Sequence, residues 1–470
     1  MRRAIQDSLL AAVLLSTLGA CARFEPKPIS ASGGASALQS RELSSGELRR
    51  FLETNLHRRI SPWPARSWDL PMLTQAGFYF QPDLAVARAK LAGTEAAIIT
   101  AGARPNPTAS FSPTFAADSA AGISPWTLGF SLDVPIETAG KRGYRIAQAQ
   151  HLANAARLNV TTAAWQVRSR ARKGLLDAFA AQQTAQILSN QQAAQNQNLE
   201  LLEERFKAGD ISSPQVSLAR VSAQQATLLL RDAEKLGGEA RARLANAIGV
   251  PASSLAGVDL SFGAFARPTG PVNAGALRRE ALLNRADVLA ALAEYDASQS
   301  ALQLEIAKQY PDVHLGPGYA FDQGEDKFTL GLSVTLPVLN QNQGPIAEAK
   351  AHRSEAAARF MAVQNRVIGE VDQAFASYRG AGRKLETADA LLAAQRKRQQ
   401  SVEASFKIGA SDRLELLQSQ LELSSAELSR ANALVEMQQA VGLLEDAMQR
   451  PLESLGKSPT PARLINRKSR

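Results

Sequence analysis

Four histidines, His57, His151, His314 and His352, are scattered along the chain and share no metal-ligand spacing. No Gly-rich phosphate loop, nucleophile elbow or Cys-x-x-Cys pair accompanies them, so no constellation for nucleophilic, acid-base or metal-assisted catalysis is written here. The reading is of a non-enzyme that holds no cofactor. His314 falls with Asp312 on the inward face of a predicted strand, where a metal contact would be possible; a lone histidine is otherwise solvated or packed, and no metal site is assigned.

The only reactive group singled out by position is Cys21, the sole cysteine, which excludes an intrachain disulfide. Arg2 and Arg3 precede a short apolar run from Leu9 to Leu15, and Leu18-Gly19-Ala20-Cys21 follows. This is a secretory signal with an apolar stretch too short to be an anchor. Small residues just before a cysteine look like a bacterial lipoprotein signal, in which that cysteine receives lipid and becomes the first residue. An ordinary signal peptide with an incidental cysteine is the alternative. Ala22, not Asp, follows the cysteine, which by resemblance to such lipoproteins implies sorting to the outer membrane.

Behind these residues lies a helical hairpin that the chain writes twice, at 144 to 250 and at 345 to 450. A shift of 200 brings Phe206/Phe406, Lys207/Lys407, Gly209/Gly409, Leu228/Leu428, Leu244/Leu444, Ala247/Ala447 and Pro251/Pro451 into register without a gap. Counting back from the shared glycine by sevens gives Leu202/Val402, Gln195/Gln395, Leu188/Ala388, Ala181/Ala381, Gly174/Ala374, Val167/Val367 and Val160/Phe360. A heptad stripe held in frame through both copies predicts long coiled-coil helices of about 65 residues, roughly 95 Å each. Turns at Ala208-Gly209-Asp210 and Ile408-Gly409-Ala410 lead into returning helices opened by Pro214 and Ser411.

Between the helices stand strands. Trp126, Leu128, Phe130, Leu132 and Val134 alternate with Thr127, Gly129, Ser131 and Asp133, and Phe328, Leu330, Leu332, Val334 and Leu336 alternate with Thr329, Gly331, Ser333 and Thr335. Apolar on one face and small polar on the other is the pattern of a lipid-facing barrel strand; a half-buried sheet in a soluble domain is the alternative. Pro135 and Pro337 are expected to end these strands, and their partners are Thr108 to Phe115 and Asp312 to Phe321.

The formal charge of +9 is spread along the helices and the aromatics amount to 6%, so thin alanine-rich seams replace a thick core and no basic, aromatic-interleaved surface for nucleic acid exists. The domain plan is a signal at 1–20, an N-terminal tether at 21–67, a first repeat at 68–250, a crossing at 251–276, a second repeat at 277–451 and a basic tail at 452–470. One chain supplies four strands, and a four-stranded sheet in lipid leaves two edges of unpaired backbone groups. Closure by several copies is therefore expected. The fold class is mainly α with a membrane β-barrel portion, a trimeric helical tunnel below a twelve-stranded barrel shared by three chains.

The duplicated helix, strand, strand, long helix, returning helix from Trp68 to Pro451, with Phe-Lys-x-Gly at both tips, resembles the TolC-like outer-membrane efflux proteins. Pro82-Asp83-Leu84 and Ala103-Arg104-Pro105-Asn106-Pro107 look most like the branch serving heavy-metal exporters. The resemblance implies a passive, lipid-anchored outer-membrane conduit, a homotrimer whose tunnel extends into the periplasm. It further implies a periplasmic adaptor docking at Phe206, Lys207, Gly209, Phe406, Lys407 and Gly409, and an inner-membrane pump of the RND type. Plain turn chemistry also accounts for these tip residues. In some relatives acidic residues ring the closed aperture six and nine positions past the tip glycine. Here those positions hold Glu415 and Gln418 in one copy and Gln215 and Leu218 in the other, with Asp412 nearby. That departure weakens the case for cation selection at the gate, and Glu415 reads equally as a surface carboxylate paired with Arg413. A structural coiled-coil lipoprotein and a duct for polypeptides are the competing functions.

Overall fold

The computed structural model describes residues 23–118, 122–265 and 273–452. Cys21 and the signal before it, and the tail from 453 onward, lie outside the described residues. Two compact units divide at Glu42. The first contributes helix α1 (Ala31–Gln39), capped by the Ser30 hydroxyl and without a buried residue.

The second unit opens with α2 (Gly46–Leu56), whose N-cap Ser45 accepts from the Leu48 amide. Leu48 and Leu52 are fully buried, and Leu43, Ile60 and Trp68 join them in one apolar cluster. Within the expected tether, Leu43, Leu48, Leu52 and Ile60 thus join the core while most other residues of 43–67 stay at the surface; spacing of Leu48 and Leu52 by four places both on one helical face. Strand β1 (Ser67–Trp68) pairs in parallel with β4 (Asp259–Leu260), joining the start of the first repeat to the crossing.

The repeats follow the same order. Helices α3 (Leu70–Phe80) and α4 (Pro82–Gly102) lead to strands β2 (Thr108–Phe115) and β3 (Trp126–Ile136), then to α5 (Lys141–Lys207, 67 residues) and α6 (Ser213–Ile248). Helices α7 (Ala274–Asn284) and α8 (Ala286–Ala307) lead to β5 (Val313–Asp322) and β6 (Glu325–Val334), then to α9 (Gln343–Lys407, 65 residues) and α10 (Arg413–Met448). At 1.5 Å per residue the long helices reach ~100 Å. The heptad stripe is their seam: Val160, Val167, Gly174, Ala181 and Leu188 are buried in α5, and Val367, Ala374 and Ala388 in α9. Toward the tips the seam thins to half-buried Gln195, Leu202, Gln395 and Val402. The copies are joined because α8 packs against both α5 and α9, and α10 packs against α5 as well as α9.

A buried polar cluster fixes that junction. Arg168 and Arg172 of α5 meet Glu445 of α10 at 3.0 and 3.4 Å. Arg172 also donates to the Gln438 carbonyl at 2.8 Å, and Ser169 and the Trp165 indole donate to Asp446 at 2.6 and 2.9 Å. Burial pushes the Asp446 carboxyl above its ordinary pKa, against the pull of those two donors.

The four longer strands form one antiparallel sheet in the order β2-β3-β5-β6. The two predicted pairs are therefore not separate, because β3 also pairs with β5, Phe130 opposite Tyr319 and Leu128 opposite Phe321. Pro135 does not end β3, which runs to Ile136 with Pro135 opposite His314. There β2 has already ended, at Thr108 opposite Asp133, so β3 has a single neighbour and a missing N–H is tolerated as on an edge strand. Leu336 lies past the end of β6, since β5 begins at Val313 opposite Val334 and offers no further partner. No helix among the described residues is long and apolar enough to cross a membrane.

Candidate functional site: hairpin tips and sheet faces

Both tips are built from the same hydrogen bonds. The amides of Gly209 and Asp210 return to the carbonyls of Phe206 and Arg205 at 3.0 and 2.9 Å, and those of Gly409 and Ala410 to Phe406 and Ser405 at 3.0 and 2.8 Å. This paired closure puts each glycine in the left-handed region, φ +86° at Gly209 and +74° at Gly409, where a side chain is disfavoured. Phe206 and Phe406 remain 46% and 38% exposed at the two ends, with Ile408 81% exposed beside them. Lys407 pairs with Glu403 at 2.9 Å one turn back on its own helix.

The expected aperture residues serve the starts of the returning helices. Gln215 accepts from the Ser212 amide at 3.0 Å. Asp412, not Ser411, is the N-cap of α10: its carboxylate takes the Glu415 amide at 2.8 Å, while Glu415 takes the Ser411 hydroxyl at 2.5 Å. Gln215 and Glu415 thus hold the same third position of their helices, and Glu415 is not paired with Arg413. Gln418 is exposed on the next turn of α10. Asp412 has a second partner, Arg205 of the first tip, at 3.0 Å. The Glu415 amide first, and Arg205 after it, hold the Asp412 carboxyl below its usual pKa. Sequence reasoning missed Arg205, because a pair 207 positions apart in two copies of a motif carries no local signal.

The sheet keeps its apolar residues uncovered. Trp126, Phe130 and Leu132 are 48%, 50% and 38% exposed, and Phe328, Leu330, Leu332 and Val334 are 81%, 77%, 69% and 39% exposed; Leu128 is half-buried. Phe111, Phe130, Tyr319 and Phe328 stand opposite one another across all four strands, with ring centroids 4.6, 6.4 and 5.3 Å apart. On the other face register places Ser110, Ser131, Gly318 and Thr329 in one row, and Gly316 opposite Gly331 in the next. His314 lies there, and its partner is Asp133 of the neighbouring strand, at 3.1 Å to both carboxylate oxygens. Asp312 instead precedes β5 and takes Lys141 at 2.7 Å and the Thr138 amide at 2.9 Å. Among the described residues no group of three or more His, Cys, Asp or Glu is placed to hold a metal ion.

The curated relative CzcC of Cupriavidus metallidurans, a cobalt-zinc-cadmium resistance protein, is 26% identical over 60% of this chain and 65% of its own length. OpmQ of Pseudomonas putida, a pyoverdine export outer membrane protein, is 28% identical over 52% of this chain and 55% of its own. The matched stretch therefore spans less than two thirds of either relative. The crystal structure of the outer membrane protein VceC from Vibrio cholerae superposes with a TM-score of 0.66 at 19% identity, covering 81% of this chain and 96% of that one, a likeness of fold. The profile of the outer membrane efflux protein family matches residues 80–250 and 277–448, the two repeats described above. The chain belongs to the outer membrane efflux protein family.

Proposed function

We propose that this chain is one wall segment of a passive exit duct in the outer membrane of a Gram-negative cell, and that it works as a homotrimer. The observation that carries the reading is the β2-β3-β5-β6 sheet, with an uncovered apolar face and with β2 and β6 as open edges. In lipid each unpaired backbone group costs several kcal/mol, so such a sheet is stable only when its edges meet those of other copies. Three copies give twelve strands and an interior wide enough for water. The helices support the same closure. Leu218, Val221, Leu228, Leu229 and Leu236 form an exposed apolar stripe along α6 at near-heptad spacing, which a neighbouring protomer would cover.

The helical tips, with exposed Phe206, Phe406 and Ile408, are the docking surface for a periplasmic adaptor, and an inner-membrane pump of the RND type supplies the energy. Lipid on Cys21 anchors the chain. The cargo is a small solute or metal ion, a reading supported by the relatives CzcC, a cobalt-zinc-cadmium resistance protein, and OpmQ, a pyoverdine export protein. Glu415 contributes to the periplasmic aperture together with Asp412, Gln418 and Gln215. A structural lipoprotein tether is disfavoured because it needs no strands.

Native mass of the full chain in mild detergent, followed by planar-bilayer recording, tests the duct. A trimer with a defined conductance is expected, and Glu415→Ala is expected to alter that conductance. A monomer or dimer, or trimers that never conduct, would overturn the proposal. Palmitate labelling lost in Cys21→Ser tests the anchor, and unchanged labelling would exclude it.

A further inference from the structure

We infer that His314 is a metal contact on the inward face of the sheet, taking a divalent ion with affinity for imidazole, such as Zn²⁺ or Co²⁺, at Nε2. The placement in a lumen rests on the duct reading; the binding chemistry does not. Asp133 on β3 sits 3.1 Å from His314 Nδ1 through both of its oxygens. A ring nitrogen held between two anionic oxygens must carry its proton toward them, because its lone pair would be repelled there. The neutral ring therefore has its lone pair on Nε2, which has no hydrogen-bond partner among the described residues. A carboxylate behind Nδ1 and a free Nε2 is the arrangement by which proteins fix the tautomer and ring orientation of a metal-binding histidine.

Pro135 of β3 stands opposite His314 on one side and carries no group that could hydrogen-bond the ring from its side chain. His314 stands opposite Ser333, and the next inward positions along β5 and β6 are Gly316 and Gly331. No side chain from that glycine pair shields the ring, which is 37% exposed with Asp133 51% exposed. One imidazole per chain, without further ligands, binds an ion weakly and releases it readily. That suits a passing cargo and not a resident metal.

Carbethoxylation of the detergent-purified full chain, read by peptide mass spectrometry, tests the contact, since diethyl pyrocarbonate attacks the free imidazole nitrogen. Zinc chloride is expected to slow modification of His314 while magnesium chloride leaves it unchanged, with His57 as an internal reference. In Asp133→Asn the zinc concentration giving half-protection should rise about tenfold, the usual cost of losing the carboxylate behind a ligating histidine. Zinc that leaves the His314 rate unaltered, or protects Asp133→Asn as well as the natural chain, overturns the inference. In bilayers zinc should reduce conductance of the natural chain and not of His314→Gln; equal reduction in both would also count against it. If the chain forms no channel, the duct reading fails and the chemical footprint alone still decides whether His314 binds.

Discussion

Arg205, at the end of the first long helix, reaches Asp412 at the start of the last helix, 3.0 Å between Nη2 and Oδ2. Asp412 is at once a helix cap and an ion-pair partner, and substitutions separate the roles. Asp412→Asn retains an oxygen for the Glu415 amide and loses the charge, whereas Asp412→Ala loses both. The exposed ion pair contributes at most about 1 kcal/mol, and the cap typically about 1 kcal/mol. Hydrogen exchange at Leu414 to Leu416 should accelerate in Asp412→Ala and change little in Asp412→Asn. Because the folded pKa is depressed, the stabilisation is complete above the unfolded value near ~4 and is lost as pH falls through the lower folded pKa. Equal exchange in both variants would remove the capping role.

The α5–α6 seam closes on a glycine. A Cβ at Gly174 would stand 3.0 Å from Leu244 Cα and 3.2 Å from its Cβ, and Leu244 is fully buried. Gly174→Ala gains about 1 kcal/mol of helix propensity, but overpacking against backbone costs about 1–3 kcal/mol. A lower thermal midpoint is expected. Gly93→Ala, where nothing lies within 4 Å, should raise it. Raised midpoints in both would show that the seam has slack.

Much of this architecture was legible because the chain states it twice. The heptad pairs named the buried seam down to Val167 and Val367, and Phe-Lys-x-Gly located both tips, since a left-handed glycine after a long helix has few other uses. The alternation at Trp126 and Phe328 marked the uncovered apolar face because period two has no helical counterpart. Contacts between the copies were not legible. Nothing local in Arg172 or Glu445 says that one will face the other across 273 positions, and Asp312 was placed on the strand face beside His314 although it precedes β5, because a strand's first residue depends on where its partner begins. The stretch from Leu48 to Arg59 reads as only weakly amphipathic, so the burial of Leu48 and Leu52 in the core was not legible from it.

The helix ends are stapled by unlike residues in equivalent places. Gln81 donates to the Asn246 and Ala247 carbonyls at 2.7 and 2.8 Å, and Arg285 donates to the Ala447 carbonyl at 2.8 Å while also pairing with Asp287 and Glu370. Gln81→Ala leaves the buried Ala247 carbonyl without its donor, for about 1–2 kcal/mol, while the Asn246 carbonyl keeps the Gly249 amide. Arg285→Ala leaves the half-buried Asp287 carboxylate without its main partner as well, and should cost about 3 kcal/mol. Urea denaturation that ranks them the other way would show that the carbonyls, not the ion pairs, dominate at this end.

The cluster between the copies holds two adjacent carboxylates with opposite expected behaviour. Glu445 lies between Arg168 and Arg172 and also accepts the Leu452 amide, so Glu445→Gln should destabilise by about 3 kcal/mol by leaving the Arg172 guanidinium buried without its counter-charge. Among the described residues the Asp446 carboxylate takes the Ser169 hydroxyl and the Trp165 indole, and burial raises its pKa. An acid whose folded pKa exceeds its unfolded value near ~3.9 binds more protons when folded, so its ionisation costs stability as pH rises through that window. Asp446→Asn retains an acceptor for either donor and removes the desolvated charge. Its thermal midpoint at pH 7 should match or exceed that of the natural chain, and the gap should close as pH falls and Asp446 itself becomes neutral. A variant less stable at pH 7 by a margin that does not change with pH would mean that the Asp446 charge stabilises the junction.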